Sequence, residues 1–164
     1  LFGFILKMTE GRDDAEEIFQ EVWFRAIRNL PRYRDHRFLS WMFRIARNYI
    51  IDRGRAASRM ALHSTADDNE SDPIEERIPS GERGPDEKTR ERDLRRTIRA
   101  AVCTLPDEQR EVFVMRTEGE LPFKEIARLQ GVSINTALAR MQYALAKLRE
   151  LLRDEYESAA GGGE

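Results

Sequence analysis

Four carboxylates stand close together near the start of the chain: Asp13, Asp14, Glu16 and Glu17. Crowded acids can perform general acid–base work or hold a divalent cation, provided a histidine, a cysteine or burial helps them. Here they open the segment GRDDAEEIFQEVWFRAIRNL, whose apolar residues recur at helical spacing. A helix start calls for acids of this kind. Asp13 or Asp14 can cap the unpaired amides, with Glu16 or Glu17 three residues on in capping-box register. His36 and His63 are isolated from any acid in a metal-ligand spacing, no glycine-rich loop could cradle a phosphate, and no nucleophile has a base beside it. The residues therefore predict no catalytic site, no metal and no cofactor. The single Cys103 excludes a disulfide within the chain, suits a reducing compartment, and is assigned a packing role among apolar neighbours.

If the chain does no covalent chemistry, its charges must act through surfaces. The net charge of −2 conceals an uneven spread. Acids dominate from Glu10 to Trp23, and arginines dominate from Arg25 to Arg55. Such a reversal suggests two partners, one basic and one a polyanion. In the acidic helix, Ala15, Ile18, Phe19, Val22, Ala26 and Leu30 form the predicted buried stripe. Glu17, Gln20, Glu21, Phe24 and Arg28 fall opposite, leaving Phe24 exposed in a charged face. Exposed single aromatics are common in a merely solubilising surface; an apolar anchor ringed by carboxylates also fits a docking site for a basic partner.

In HRFLSWMFRIARNYIIDRGR, the residues Phe38, Trp41, Met42, Ile45 and Tyr49 share one face and are predicted to pack on the first helix. Ser40, Phe43, Arg44, Arg47 and Ile51 are predicted to face away, flanked by Asn48 and Arg55. An ordinary solvated face would look similar. Yet arginines, an outward aromatic and Asn48 beside the loop Arg34-Asp35-His36-Arg37 can hold phosphates and accommodate an unstacked base.

Further along, LPDEQREVFVMRTEGELPFKEIARLQGVS marks its own helix boundaries. Pro106 and Pro122 suit first turns, Gly131 a left-handed C-cap and Ser133 an N-cap. The small or medium residues Ile126, Ala127, Val132 and Ala137 suit a tight crossing of two helices, the signature of a helix-turn-helix. In the helix after it, Ile134, Leu138, Met141, Leu145, Leu148 and Leu152 make an apolar stripe. It either packs on the helix from Asp93 to Thr104 or forms a surface that a partner or the N-terminal unit covers.

The elements that must position these residues are all helices. Leu, Ala, Arg and Glu dominate the composition and strand-type alternation is sparse, so the class is all-α. The segment 56–92, with three prolines and an acidic balance, reads as a flexible linker. It separates a helical unit at 1–55 from a second at 93–157, and 158–164 reads as a flexible tail. Each unit alone buries little apolar surface and is expected to be marginal without the other. The chain opens at LFGFIL in what reads as mid-helix, so the first unit is expected to be incomplete. No run is long and apolar enough to cross a bilayer and no cleavable signal peptide is evident, which predicts a cytoplasmic protein without membrane insertion.

These blocks, in this order, resemble the bacterial RNA polymerase sigma factors of the extracytoplasmic-function class. DAEEIFQEVW is similar to the family's helix that docks on the polymerase clamp. FLSWMFRIARNYIIDRGR is similar to the helix that engages the minus-ten element, and LPDEQREVFVMR with FKEIARLQGVSINTALAR to the region that reads the minus-thirty-five element. The resemblance implies a transcription initiation factor with core RNA polymerase and promoter DNA as partners, and an anti-sigma factor as a further candidate. It implies polymerase contacts at Asp14, Glu16, Glu17, Gln20, Glu21 and Phe24. For the opened minus-ten strand it implies Arg34, His36, Arg37, Arg44, Arg47 and Asn48. For the minus-thirty-five duplex it implies Lys124, Ser133, Asn135, Thr136, Arg140, Tyr143 and Lys147. The linker falls where the family passes the RNA exit path; its acidity could mimic nucleic acid there, and a plain tether accounts for it equally. One departure matters: Leu138, Tyr143 and Leu145 stand where the family usually has Lys or Arg. Fewer phosphate contacts weaken DNA binding and flatten its salt dependence. Two other readings remain: a helix-turn-helix regulator acting without polymerase, and a sigma-like protein whose C-terminal unit is mainly a protein-interaction module.

Overall fold

A computed structural model describes residues 1–9, 11–34, 37–61 and 85–153. The central part of the connecting segment (62–84), the tail, His36 and His63 lie outside the described residues. The fold is all-α. Helices α1 (Phe2–Lys7), α2 (Arg12–Asn29) and α3 (Phe38–Ala61) form the N-terminal unit, with a 3₁₀ turn at Leu30–Arg32. Helices α4 (Pro85–Cys103), α5 (Asp107–Thr117), α6 (Phe123–Gln130) and α7 (Ile134–Leu151) form the C-terminal unit. Among the described residues, no helix is long and apolar enough to cross a membrane.

In α2 the buried residues are Ala15, Ile18, Val22 and Ala26, at intervals of three and four, and this stripe faces α3. Burying Ile18 and Val22 completely is worth about 1.5–3 kcal/mol each. Phe19 is half-buried and packs edge-on against Phe2 of α1. Leu30, expected in the stripe, is exposed, because the chain tightens into the 3₁₀ turn ahead of Pro31 and the helical period stops there. The acids do not cap α2. Its N-cap is Gly11, and no side chain bonds to the helix start.

The segment read as linker is partly helical. Helix α3 carries on through Ala56–Ala61, where Ala56, Ala57 and Ala61 are strong helix formers. Helix α4 begins at Pro85, a residue suited to a first turn. At the other end of α4, Cys103 is exposed rather than packed.

The helix-turn-helix closes as its boundary residues demand. Gly131 takes φ +68°, its N–H bonds the Arg128 carbonyl at 3.3 Å, and the Val132 N–H bonds the Ala127 carbonyl at 3.0 Å. Ser133 Oγ then accepts the Thr136 N–H at 3.1 Å and starts α7. Pro106 and Pro122 occupy N-cap positions, one residue ahead of the first turns of α5 and α6. The buried face of α7 is Ala137, Ala144 and Leu148, and it lies against α5 and α6.

The two units touch. One apolar cluster contains Phe4, Ile5 and Phe43 from the first with Val102, Leu105, Met115 and Leu121 from the second. Helix α1 packs on α4 and α5, and α3 on α6.

Candidate docking and nucleic-acid interfaces

Phe24 is 56 % exposed on the outer side of α2, with the Arg28 guanidinium 5.6 Å from its ring centroid. Trp23, Ile27 and Leu30 are exposed alongside it. The apolar anchor is therefore a patch rather than one ring. Trp23, Ile27 and Leu30 recur at intervals of four and three, a period that could have revealed the patch. The carboxylates around it are tied locally. Arg12 Nε donates to Glu16 at 2.8 Å and Arg25 Nε to Glu21 at 2.6 Å. Arg53 of α3 pairs with Asp14 and, at 3.2 Å, with Glu17. Burial lowers the Arg53 pKa, but Asp14, Glu17 and Tyr49 raise it further, so this cation is held above its ordinary range. Gln20 is exposed in the same face.

The predicted minus-ten residues divide into two groups. Arg44 and Asn48 are exposed on α3, and Arg34 is exposed in the turn, where Nη1 donates to the Pro31 and Tyr33 carbonyls at 2.9 and 3.1 Å. Arg37 and Arg47 instead turn toward the C-terminal unit. Arg37 pairs with Glu125, and Arg47 Nε donates to Glu111 Oε2 at 2.9 Å with its side chain only 17 % exposed. Phe43 and Ser40 were expected to face outward, and both are buried. Phe43 is covered from both units, by Phe4 of α1 and by Gly119 of the C-terminal unit, contacts that helical periodicity does not contain. The Phe43 ring lies edge-on to Phe4, with centroids 5.1 Å apart, and its tip meets Gly119. The exposed aromatic beside the arginines is Phe38, which periodicity assigned to the packed face. It stands against Tyr33 and Trp41, with centroids 5.9 and 5.7 Å away. An exposed ring near arginines is the chemistry that stacks an unpaired base.

On the C-terminal unit, Lys124, Ser133, Asn135, Thr136, Tyr143 and Lys147 are all exposed. Ser133 and Thr136 also bond each other through their hydroxyls at 2.8 Å, and Lys147 pairs with Glu150 at 3.3 Å. Arg140 is half-buried and donates from Nη1 to Gln130 Oε1 at 2.8 Å. Ile134, Leu138 and Leu145 are exposed. Packing on α4 therefore accounts for only part of the apolar stripe. The buried face of α7 is Ala137, Ala144 and Leu148, and those larger residues lie outside it.

Two family models match the chain, one on each unit. The sigma-70 region 2 family model matches residues 1–60, and the sigma-70 region 4 model matches residues 95–148. The extracytoplasmic-function sigma factor ShbA of Streptomyces griseus is 31 % identical over 144 residues, covering 87 % of this chain and 73 % of ShbA. The chain belongs to the extracytoplasmic-function sigma factors. SigW of Bacillus subtilis is 28 % identical over 156 residues, covering 94 % of this sigma factor and 83 % of SigW. SigE of Mycolicibacterium smegmatis is 26 % identical over 146 residues; the match takes in 89 % of this chain but only 54 % of SigE, about half its length. The fold is also that of the sigma factor RpoE from Bartonella quintana, solved in complex with the anti-sigma factor NepR. The TM-score is 0.75 at 19 % identity, over 93 % of this chain and 89 % of RpoE.

Proposed function

We propose that this sigma factor binds core RNA polymerase in the cytoplasm and directs it to promoters by recognising minus-ten and minus-thirty-five elements, without catalysing a reaction itself. One observation carries the reading: a region 2 unit with an exposed aromatic in an acidic face and a region 4 unit with a capped helix-turn-helix stand on one chain. A regulator that binds duplex DNA alone has no use for the first unit.

In this reading Phe24, joined by Trp23 and Ile27 and rimmed by Asp14, Glu16, Glu17, Gln20 and Glu21, docks on a basic polymerase surface. Arg34, Arg37, Arg44, Arg47, Asn48 and His36 hold the opened strand, with Phe38 as an added stacking platform. Lys124, Ser133, Asn135, Thr136, Arg140, Tyr143 and Lys147 meet the upstream duplex. The exposed row Ile134, Leu138 and Leu145 favours a second use of the C-terminal unit, as a surface for a protein inhibitor of the anti-sigma kind.

Run-off transcription with core polymerase and a library of promoter fragments tests this. Transcripts from a subset of fragments, appearing only when the protein is added, support the reading. Duplex binding by the protein alone with no dependent transcript would replace it with a polymerase-independent regulator. Transcript yield insensitive to the upstream element would make the C-terminal unit chiefly an interaction module.

A further inference from the structure

Gln130, the last residue of α6, carries an amide whose orientation is fixed at both ends. Its Nε2 donates to Glu111 Oε2 at 2.7 Å and to the Glu108 carbonyl at 3.0 Å. Both partners belong to α5, and both are acceptors. The NH₂ end of the amide must therefore face α5, which turns its carbonyl the other way. There Oε1 accepts Arg140 Nη1 of α7 at 2.8 Å. The carboxylate that anchors the amide is itself held: the Glu111 side chain is 6 % exposed, and Arg47 Nε reaches the same Oε2 at 2.9 Å. Helices α5, α6 and α7 pack on one another, so Glu111, Gln130 and Arg140 form a tier through the helix-turn-helix. It runs from a buried carboxylate, through a neutral amide, to a half-buried guanidinium on the recognition helix.

Resting on the functional reading above, we infer that Gln130 is a positioning residue for the upstream element: it fixes the direction of Arg140, and Arg140 reads one base pair. Gln130 itself needs no contact with DNA. Its bond commits one of the guanidinium's five donors and restrains a side chain otherwise rich in rotamers. Such restraint matters little toward a phosphate, which a mobile cation can find as a point charge. Toward a base edge in the major groove it matters a great deal, because paired acceptors there take the planar fork bidentately and only in one orientation. The place of Arg140 agrees with this. It follows Thr136 by four residues and precedes Tyr143 by three, so the three share one face of α7. Thr136 and Tyr143 are both exposed on that face. Lys124 and Lys147, exposed and longer in reach, suit phosphates instead.

The test uses the full chain with core polymerase. Run-off transcription from promoters randomised across the upstream element gives a base-preference profile, position by position. The wild type is compared with Arg140→Ala, Gln130→Met and the two combined; Met keeps the length of Gln and removes its amide. Arg140→Ala is expected to lower the preference at one base pair by at least about fivefold. Gln130→Met should lower it at that same base pair, leave the other positions as in the wild type, and add nothing in the Arg140→Ala background. A role confined to helix packing would instead reduce yield evenly at every position, and that result overturns the inference. So does a wild-type profile from Gln130→Met where Arg140→Ala alters it, or an unaltered profile from Arg140→Ala. Should Gln130→Met lose its helical circular dichroism, the exchange Gln130→Glu/Glu111→Gln decides. It keeps an acceptor toward Arg140 and a donor behind it, so the preference must survive; its loss overturns the positioning role. Absence of transcripts from the wild type itself would remove the functional reading beneath, an outcome distinct from any change among the variants.

Discussion

At the scale of single residues, Phe24 and Phe43 show what periodicity can and cannot see. Both lie opposite the stripe that packs within the N-terminal unit. Phe24 is exposed, as its position on the wheel requires, while Phe43 is fully buried. The difference is decided by contacts with Gly119 and the neighbouring helices, far away in sequence, which no local pattern encodes. Exposure makes Phe24 a clean probe. A substitution there removes little internal packing, so its effect on folding should stay within about 0.5 kcal/mol. A central aromatic at an interface commonly contributes 2 kcal/mol or more, so Phe24→Asp is expected to weaken capture of core polymerase by at least about thirtyfold. A pull-down at graded polymerase concentrations measures this directly. Retention of wild-type capture by a folded Phe24→Asp protein would remove the docking role.

Among the elements, the helix-turn-helix was the most legible, because its boundary residues act locally. Gly131 needs no long-range contact to take a positive φ, and Ser133 needs only its own helix to cap it. The start of α2 was misread for a related reason. The helix starts ahead of the acids: Gly11 is its N-cap, Asp13 and Asp14 fall within its first turn, and Asp14 pairs with Arg53 of α3. Two of the open glycines, Gly131 and Gly54, give a paired test of local backbone effects. A Cβ at Gly131 or Gly54 would meet nothing within 4 Å, so only backbone conformation differs. Gly131→Ala forces a left-handed alanine and is expected to cost about 1–2 kcal/mol. Gly54→Ala, inside α3, is expected to gain about 0.5–1 kcal/mol by raising helix propensity. Urea titration of both variants reads the two signs; a stabilised Gly131→Ala protein would show that the turn is not held in its left-handed form in solution.

For the whole molecule, the order of acidic and basic segments was readable, but not how the charges cancel. Lys7, Arg37 and Arg47 are neutralised between the units and Arg53 within the N-terminal unit, so the free chain shows less positive field than its arginine-rich middle implies. That consequence is measurable as a salt slope. Single-stranded binding loses affinity in proportion to the phosphates neutralised, each adding about −0.7 to the slope of log K against log salt. Of the four arginines assigned to the strand, Arg34 and Arg44 are not held across the units; contacts from these two alone would give a slope of about −1.4, and contacts from all four about −2.8. The wild-type chain is therefore expected near the shallower value, and the chain bound to core polymerase on an opened promoter strand to exceed it. Anisotropy titrations between about 50 and 200 mM salt cover the range over which such slopes are resolved. A free chain already at the steeper value would mean that all four arginines reach the strand unhindered, and that the cross-unit ion pairs yield to DNA at no detectable cost.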